Sequence, residues 1–335
     1  MYRLPKYVLV LAFAMAPAMA PAEEKTSIKG SASTEGGVLW KEPVDLESRD
    51  LFYGSGGKEH APHGVFTFEE EDLDGTNPKF NVRDENGVKW KVKMGTEARP
   101  ETAASRFVWA LGYFTNEDYF VETLKVQNMP PKLKRGQHFV EADGTLHNVR
   151  MKRQVKGEEK IGSWRWKHAP MLGTQELDGL RVLMALMNNW DLKDQNNAIY
   201  SMPAEREPVY LISDLGSSFG TAGFILSLRK SRGNLDSYNQ SKFIRKVRAD
   251  SVDFEAPARP TWMELAAPHR FIKRVHLEWL GDDIPRDHVI WMAKMLARLS
   301  PTQLRDAFRG AGYSPDEVEG FATVVQGRIA QLNTL

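Results

Sequence analysis

The run Asp191-Leu192-Lys193-Asp194-Gln195-Asn196 places carboxylates, an ammonium and amides side by side, and further on an apolar stretch ends at Asp214-Leu215-Gly216. Those are the groups needed to hold a metal-bound nucleotide. Phosphoryl transfer asks a protein mainly for positioning and electrostatics: a proton acceptor, oxygen ligands for a divalent cation, and cations for the phosphates. Asp191 would orient an acceptor hydroxyl and take its proton, and Lys193 would reach the transferred group. Asn196 would offer a neutral amide oxygen to the cation and Asp214 a charged one, while Gly216 would let the backbone turn sharply behind that ligand. The plainer alternative is a polar loop in which Asn188, Asn189, Asp194 and Asn197 cap nearby backbone groups.

The elements upstream supply the remaining charges. Val65, Phe66 and Phe68 open an extended run, Phe80 and Val82 alternate with polar neighbours, and Asn86-Gly87 marks a hairpin into a third strand, where Trp90, Val92 and Met94 alternate with Lys89, Lys91 and Lys93. Pro100-Glu101 then begins a helix with Ala104, Phe107, Val108 and Leu111 on one face, ending at Gly112. Lys93 is expected to bind the α- and β-phosphates with Glu101 as its ion-pair partner, and Lys91 and Glu97 are the alternatives. A lysine-rich strand is also what a solvated sheet edge looks like. The loop Asp74-Gly75-Thr76-Asn77-Pro78 would cover the phosphates with backbone amides. Strands at 119–126 and 149–155 complete the small sheet, a helix with Leu177, Leu180, Leu183 and Met187 on its apolar face leads into the Asp191 loop, and strands at 198–200 and 209–212 deliver Asp214. Ser300-Pro301 with Gln303, and Ser314-Pro315 with Glu317, mark helix starts.

With its Asp191…Asn196 and Asp214-Leu215-Gly216 motifs, and with Lys93-Met94-Gly95 followed by Glu101, the chain resembles the atypical branch of the protein kinases. That branch includes the HipA-like toxin kinases, type II phosphatidylinositol 4-kinases, spore-coat kinases and secretory-pathway kinases. The resemblance spans roughly residues 65–220. It implies a bilobal α+β fold, with a small antiparallel-sheet N-lobe bearing one helix and a mostly helical C-lobe. It also implies ATP or another nucleotide, Mg²⁺ or Mn²⁺, and the roles named above. Asn189-Trp190 stands where that family has His-Arg, Leu215 replaces phenylalanine, and no Ala-Pro-Glu segment follows Asp214. A pseudokinase scaffold of the envelope and a nucleotidyl (AMP) transferase are therefore kept as alternatives.

Arg3 and Lys6, an apolar stretch over 7–20 and Ala20-Pro21-Ala22 read as a secretory signal peptide, cleaved near Ala22, so the protein is expected to be periplasmic or secreted. Removing residues 1–22 takes both cations and no acid, moving the formal charge from +1 to −1. Such a balance gives no general attraction to nucleic acid, and no second apolar run suggests a membrane span in the mature chain. With no cysteine there are no disulfides, thiol chemistry or cysteine-based zinc sites. His60 and His63, without a third ligand nearby, read as loop residues. The expected organisation is a loose extension over 23–64, an N-lobe over 65–156 and a helical C-lobe over 157–335. Basic residues concentrate over 125–167 and 229–248. They read as solvated faces unless they flank the cleft, where they would favour an acidic acceptor. Trp164, Trp166 and Trp262 fit either a sugar groove or a core.

Overall fold

The computed structural model describes residues 36–335 except 76, 190, 193, 221–231 and 256–278. The predicted signal peptide, Thr76, Lys193 and Trp262 lie outside the described residues. In chain order the first half comprises β1 (Phe66–Asp72), β2 (Lys79–Asp84), β3 (Lys89–Lys93), α1 (Ala98–Ala110), β4 (Phe114–Thr115), β5 (Asp118–Gln127) and β6 (Thr145–Arg153). The strands pair in the order β1-β2-β3-β6-β5, and a short parallel contact of Phe66 with Val126 closes them into a barrel. Period-two alternation sends Phe80, Val82, Trp90, Val92, Val149 and Met151 to the interior, where they form one apolar cluster. The lysine-rich β3 is no edge: it lies between β2 and β6. At the predicted hairpin, Asp84 Oδ1 accepts from the amides of Asn86 and Val88, both at 2.9 Å, and Gly87 takes the left-handed φ of 82° that the turn requires.

The second half comprises β7 (Glu159–Gly162), α2 (Gln175–Leu186), β8 (Asn197–Ser201), β9 (Val209–Ile212), α3 (Leu235–Gln240), β10 (Ile244–Val247), β11 (Ser251–Phe254), β12 (Ile284–Pro285), α4 (Arg286–Ala297), α5 (Pro301–Arg309) and α6 (Pro315–Asn333). Strands β4, β9, β8 and β7 form one sheet in that order, and β10-β11-β12 a second. Both capping boxes form as the sequence predicts: Ser300 and Ser314 accept from the amides of Gln303 and Glu317, whose side chains bond back. Trp164 and Trp166 are buried in the helical core, so neither lines a sugar groove.

From Gly36 onward, the stretch expected to be a loose extension is packed. Val38 bridges to Val209 and Trp40 to Tyr113. Leu46 and Leu51 are fully buried, and Gln303 of α5 donates to the carbonyls of Leu46 (2.8 Å) and Arg49 (3.1 Å). The apolar residues there are few, but Leu39, Trp40, Leu46 and Leu51 join the larger core while Tyr53 and Ala61 pack on the barrel; glycine-rich intervals hide that pattern in sequence. Leu51→Ala should therefore cost about 3 kcal/mol of stability, read by denaturant unfolding, where a surface extension would show almost nothing.

α1 is held from below as well. Phe107 packs at 6.0 Å from the ring of Phe219 and 5.7 Å from that of Phe308, so the helix that carries Glu101, with Glu97 at its N-cap, is anchored in the C-terminal core. Its position is set by aromatic packing.

Candidate active site

β3 delivers Lys93 to a buried position facing α1. Its Nζ lies 2.7 Å from Glu97 Oε2, 2.8 Å from Glu101 Oε2 and 3.1 Å from Asp214 Oδ1. Residues from the two halves of the chain thus meet at one ammonium. Arg150, directly opposite Lys93 in the β3–β6 register, reaches Glu101 Oε1 (3.2 Å) and Asp118 Oδ1 (2.8 Å). Arg232 pairs with Glu97. Each α1 carboxylate therefore sits between Lys93 and an arginine. Burial works against the charge on Lys93, but Glu101, Asp214 and Glu97 outweigh it and hold its pKa above the ordinary lysine value. Burial likewise pushes the Glu101 carboxyl up, against the pull of Arg150 and Lys93.

The alternatives weighed on sequence separate here. Lys91 points to Asp72 Oδ2 at 2.6 Å and does not reach α1 in these pairs, whereas Glu97 and Glu101 both take Lys93. Glu101 on α1 and Glu97 at its N-cap share a role expected of one residue. Arg150, Asp118 and Arg232 were not foreseen, because only strand register and chain crossing bring them to Lys93.

Asp214 sits on the left-handed side at φ 56°, and Phe219 follows at φ 54°. Strained backbone of this kind concentrates at functional sites and is held by its surroundings. Here Phe219 is locked by the rings of Phe107, Tyr238 and Phe308. Gly216 lies so close behind α1 that an added Cβ would fall 2.6 Å from Glu97 Cβ. Gly216→Ala should cost about 2 kcal/mol and weaken the Lys93–Glu97 pair, which a melting curve and nucleotide titration would register together; an unchanged melting temperature would contradict the close approach.

α2 leads into the Asp191 loop, which closes on itself. Asn189 Oδ1 accepts from the Asp191 amide (3.0 Å), and Asn196 Nδ2 donates to the Asp191 carbonyl (3.0 Å). The hydroxyl of Ser213, the residue before Asp214, donates to the Asn196 carbonyl at 2.8 Å. Antiparallel pairing of Asn197 with Ile212 supports the same juxtaposition. Asp191 and Asn196 are thus neighbours through backbone, and Asn196 is tied to the strand end that bears Asp214. Asp194 does what the plainer reading expected: it accepts from the Trp166 amide at 3.1 Å.

The β1–β2 loop lies over the start of α1, where the Asn77 amide donates to Glu97 Oε2. One guanidinium grips this loop from outside. Arg135, in the β5–β6 connection, donates to the carbonyls of Gly75 (2.6 Å), Asp72 (2.7 Å) and Asp74 (3.3 Å), while Glu71 accepts from the amides of Lys134 and Arg135. In a trans peptide the amide N–H points opposite its carbonyl. Drawing the carbonyls of Asp72 and Asp74 toward Arg135 therefore turns the amides of Leu73 and Gly75 the other way. Within the described part of the basic segment 229–248, Arg245 and Arg248 pair with Asp253, Asp282 and Asp283.

Glu97, Glu101 and Asp214 offer oxygens within 4.8 Å of one another, a spacing compatible with a metal. Lys93 already takes the nearest oxygen of each. The two glutamates are buried between cations, while the side chain of Asp214 is 42% exposed. Of the three carboxylates, Asp214 is therefore the one most open to a hard divalent ion, which prefers oxygen ligands.

No protein-family model matches this chain, and no curated protein matches it. Among solved structures, the Helicobacter pylori proinflammatory kinase CtkA superposes with a TM-score of 0.44 and 14% identity, over 80% of this chain and 96% of its own. A Golgi casein kinase superposes with a TM-score of 0.32 and 9% identity, over 86% of this chain and 78% of its own. Both likenesses are slight. What assigns the fold is the chain's own strand order, the helix inserted between β3 and the next strands, and the Lys93–Glu101–Asp214 meeting. The chain has an α+β fold, a five-stranded barrel with α1 after β3 followed by a largely helical half, in the element order that the kinase resemblance implies.

Proposed function

We propose that the protein is an exported, ATP- and metal-dependent phosphotransferase that moves a phosphoryl group to a hydroxyl of a protein, glycan or small molecule. The observation that carries this reading is Lys93 held between Glu101 and Asp214 at 2.8 and 3.1 Å. Lys93 would hold the donor's phosphates, fixed in direction by Glu101 and Glu97 on an anchored helix. Asp191 would orient the acceptor hydroxyl and take its proton, its backbone held by Asn189 and Asn196. Asp214 and Asn196 would hold Mg²⁺ or Mn²⁺, which when bound neutralises charge on the phosphates. Lys193 would serve the transferred group, and the loop carrying Gly75, Thr76 and Asn77 would cover the chain of phosphates. Export rests on the basic, apolar and small-residue order of the first 22 residues.

The test is a thermal-shift titration of the purified protein with ATP and Mg²⁺ or Mn²⁺, followed by mass spectrometry of products. A metal-dependent shift supports the reading, and the added mass separates phosphoryl from adenylyl transfer. No shift with any nucleotide and either metal removes it. Arg135→Ala should raise the KM for the donor about tenfold with little change in kcat, because the loop loses its grip while the catalytic residues stay in place. Initial-rate kinetics check this, and equal losses in both constants would contradict it.

A further inference from the structure

The cleft-facing side of the barrel is charged where a base-binding roof is ordinarily apolar. Strand registers place Asp72, Lys79, Lys93 and Arg150 in one cross-strand row, and Asn81, Lys91, Lys152 and Asp118 in the next. The face fronts the second half of the molecule at both ends: Lys93 meets Asp214, and Lys152 Nζ lies 5.7 Å from the ring of Tyr200 on β8. Like charges opposite one another across strands are destabilising, so Lys79, Lys93 and Arg150, and likewise Lys91 and Lys152, need anions. Lys93 and Arg150 are met by Glu97, Glu101, Asp214 and Asp118, whereas the outer lysines have fewer carboxylates to share. Asp72 alone serves both Lys91 (2.6 Å) and Lys79 (3.5 Å), and Lys152 has Glu158 at 3.7 Å. Burial, set against the pull of Asp72 and Glu158, holds the pKa of Lys79 and Lys152 below the ordinary lysine value. An arriving anion would relieve that.

Pockets for flat organic groups are lined mainly by apolar and aromatic side chains with a few polar anchors. This roof has the opposite composition, and charged rows of lysine and arginine match the oxygens of linked phosphates. We propose that the cleft recognises its donor by the oligophosphate chain and not by the base, so that inorganic tripolyphosphate binds it as well as ATP does. The inference rests on the donor-site reading above and narrows the donor's chemical class.

Calorimetric titration of the purified protein with Mg²⁺ and, in turn, ATP, UTP, tripolyphosphate and adenosine tests it. The three triphosphates should bind with Kd values within about threefold of one another, and adenosine should give no heat. Lys91→Ala and Lys152→Ala should weaken ATP and tripolyphosphate by the same factor, about tenfold. ATP binding tenfold or more tighter than UTP and tripolyphosphate, or competition by adenosine, overturns the inference while leaving the donor site standing. Tripolyphosphate binding that ignores Asp214→Asn and needs no Mg²⁺ also overturns it, as adventitious anion binding. If none of the triphosphates binds, the donor site itself falls and the inference with it.

Discussion

Asp214→Asn is expected to abolish metal-dependent nucleotide binding and to lower phosphoryl transfer by about a thousandfold or more, while the protein remains folded. Asparagine is the informative replacement because it tolerates the left-handed φ of 56° found at this position. Its amide oxygen can still accept from Lys93, which also keeps Glu97 and Glu101. The change therefore removes one negative charge and little else, and the melting temperature should move by only a few degrees. Alanine would mix that loss with backbone strain. Turnover of Asp214→Asn within tenfold of the wild type would remove Asp214 from the metal site.

Lys93→Met should produce the second large effect, in two readouts at once. Loss of the phosphate-binding cation should lower kcat/KM by about two to three orders of magnitude. Leaving Glu97 and Glu101 buried without their shared ammonium should cost about 3 kcal/mol, the order seen when one member of a buried pair is removed. Arg150 and Arg232 moderate the penalty, since each still holds one of those glutamates. The pH dependence has a definite sign. Lys93 has a raised pKa in the folded protein, so its contribution is fully present below the unfolded lysine value of about 10.4 and is lost as pH rises through the folded value. The stability gap between wild type and Lys93→Met should be flat from neutral to mildly alkaline pH and should close only in strong alkali. A gap that closes near neutrality would mean that Lys93 is not held charged.

The barrel strands were legible because period two is written plainly in Phe80-Val82 and Trp90-Val92, and the capping boxes because Ser-Pro with a downstream Gln or Glu is a local signal. The loop at Asp191 and the strand end at Asp214 were legible for a similar reason: each is a short polar motif beside an apolar run. Arg150 was not, because its partner Lys93 is set by β3–β6 register and nothing near Arg150 in the chain marks it. Arg135 was lost in a loop rich in proline and lysine, and its role emerges only when that loop folds over the β1–β2 turn. The segment from Gly36 looked loose because its buried leucines, Leu39, Leu46 and Leu51, join a core built by distant elements and follow no strand or helix period of their own. The barrel's closure through Phe66 and Val126 depends on a parallel contact of two residue pairs, too short to leave a pattern.

The most direct measurement of the central claim is a crystal structure with Mn²⁺ and a non-hydrolysable ATP analogue, with the ion located by its anomalous signal. The account predicts Mn²⁺ on oxygens of Asp214 and Asn196, phosphate oxygens on Lys93, and the Lys93–Glu101 pair intact. An ion and phosphates bound elsewhere, with Lys93 still enclosed by Glu97, Glu101 and Asp214, would contradict it.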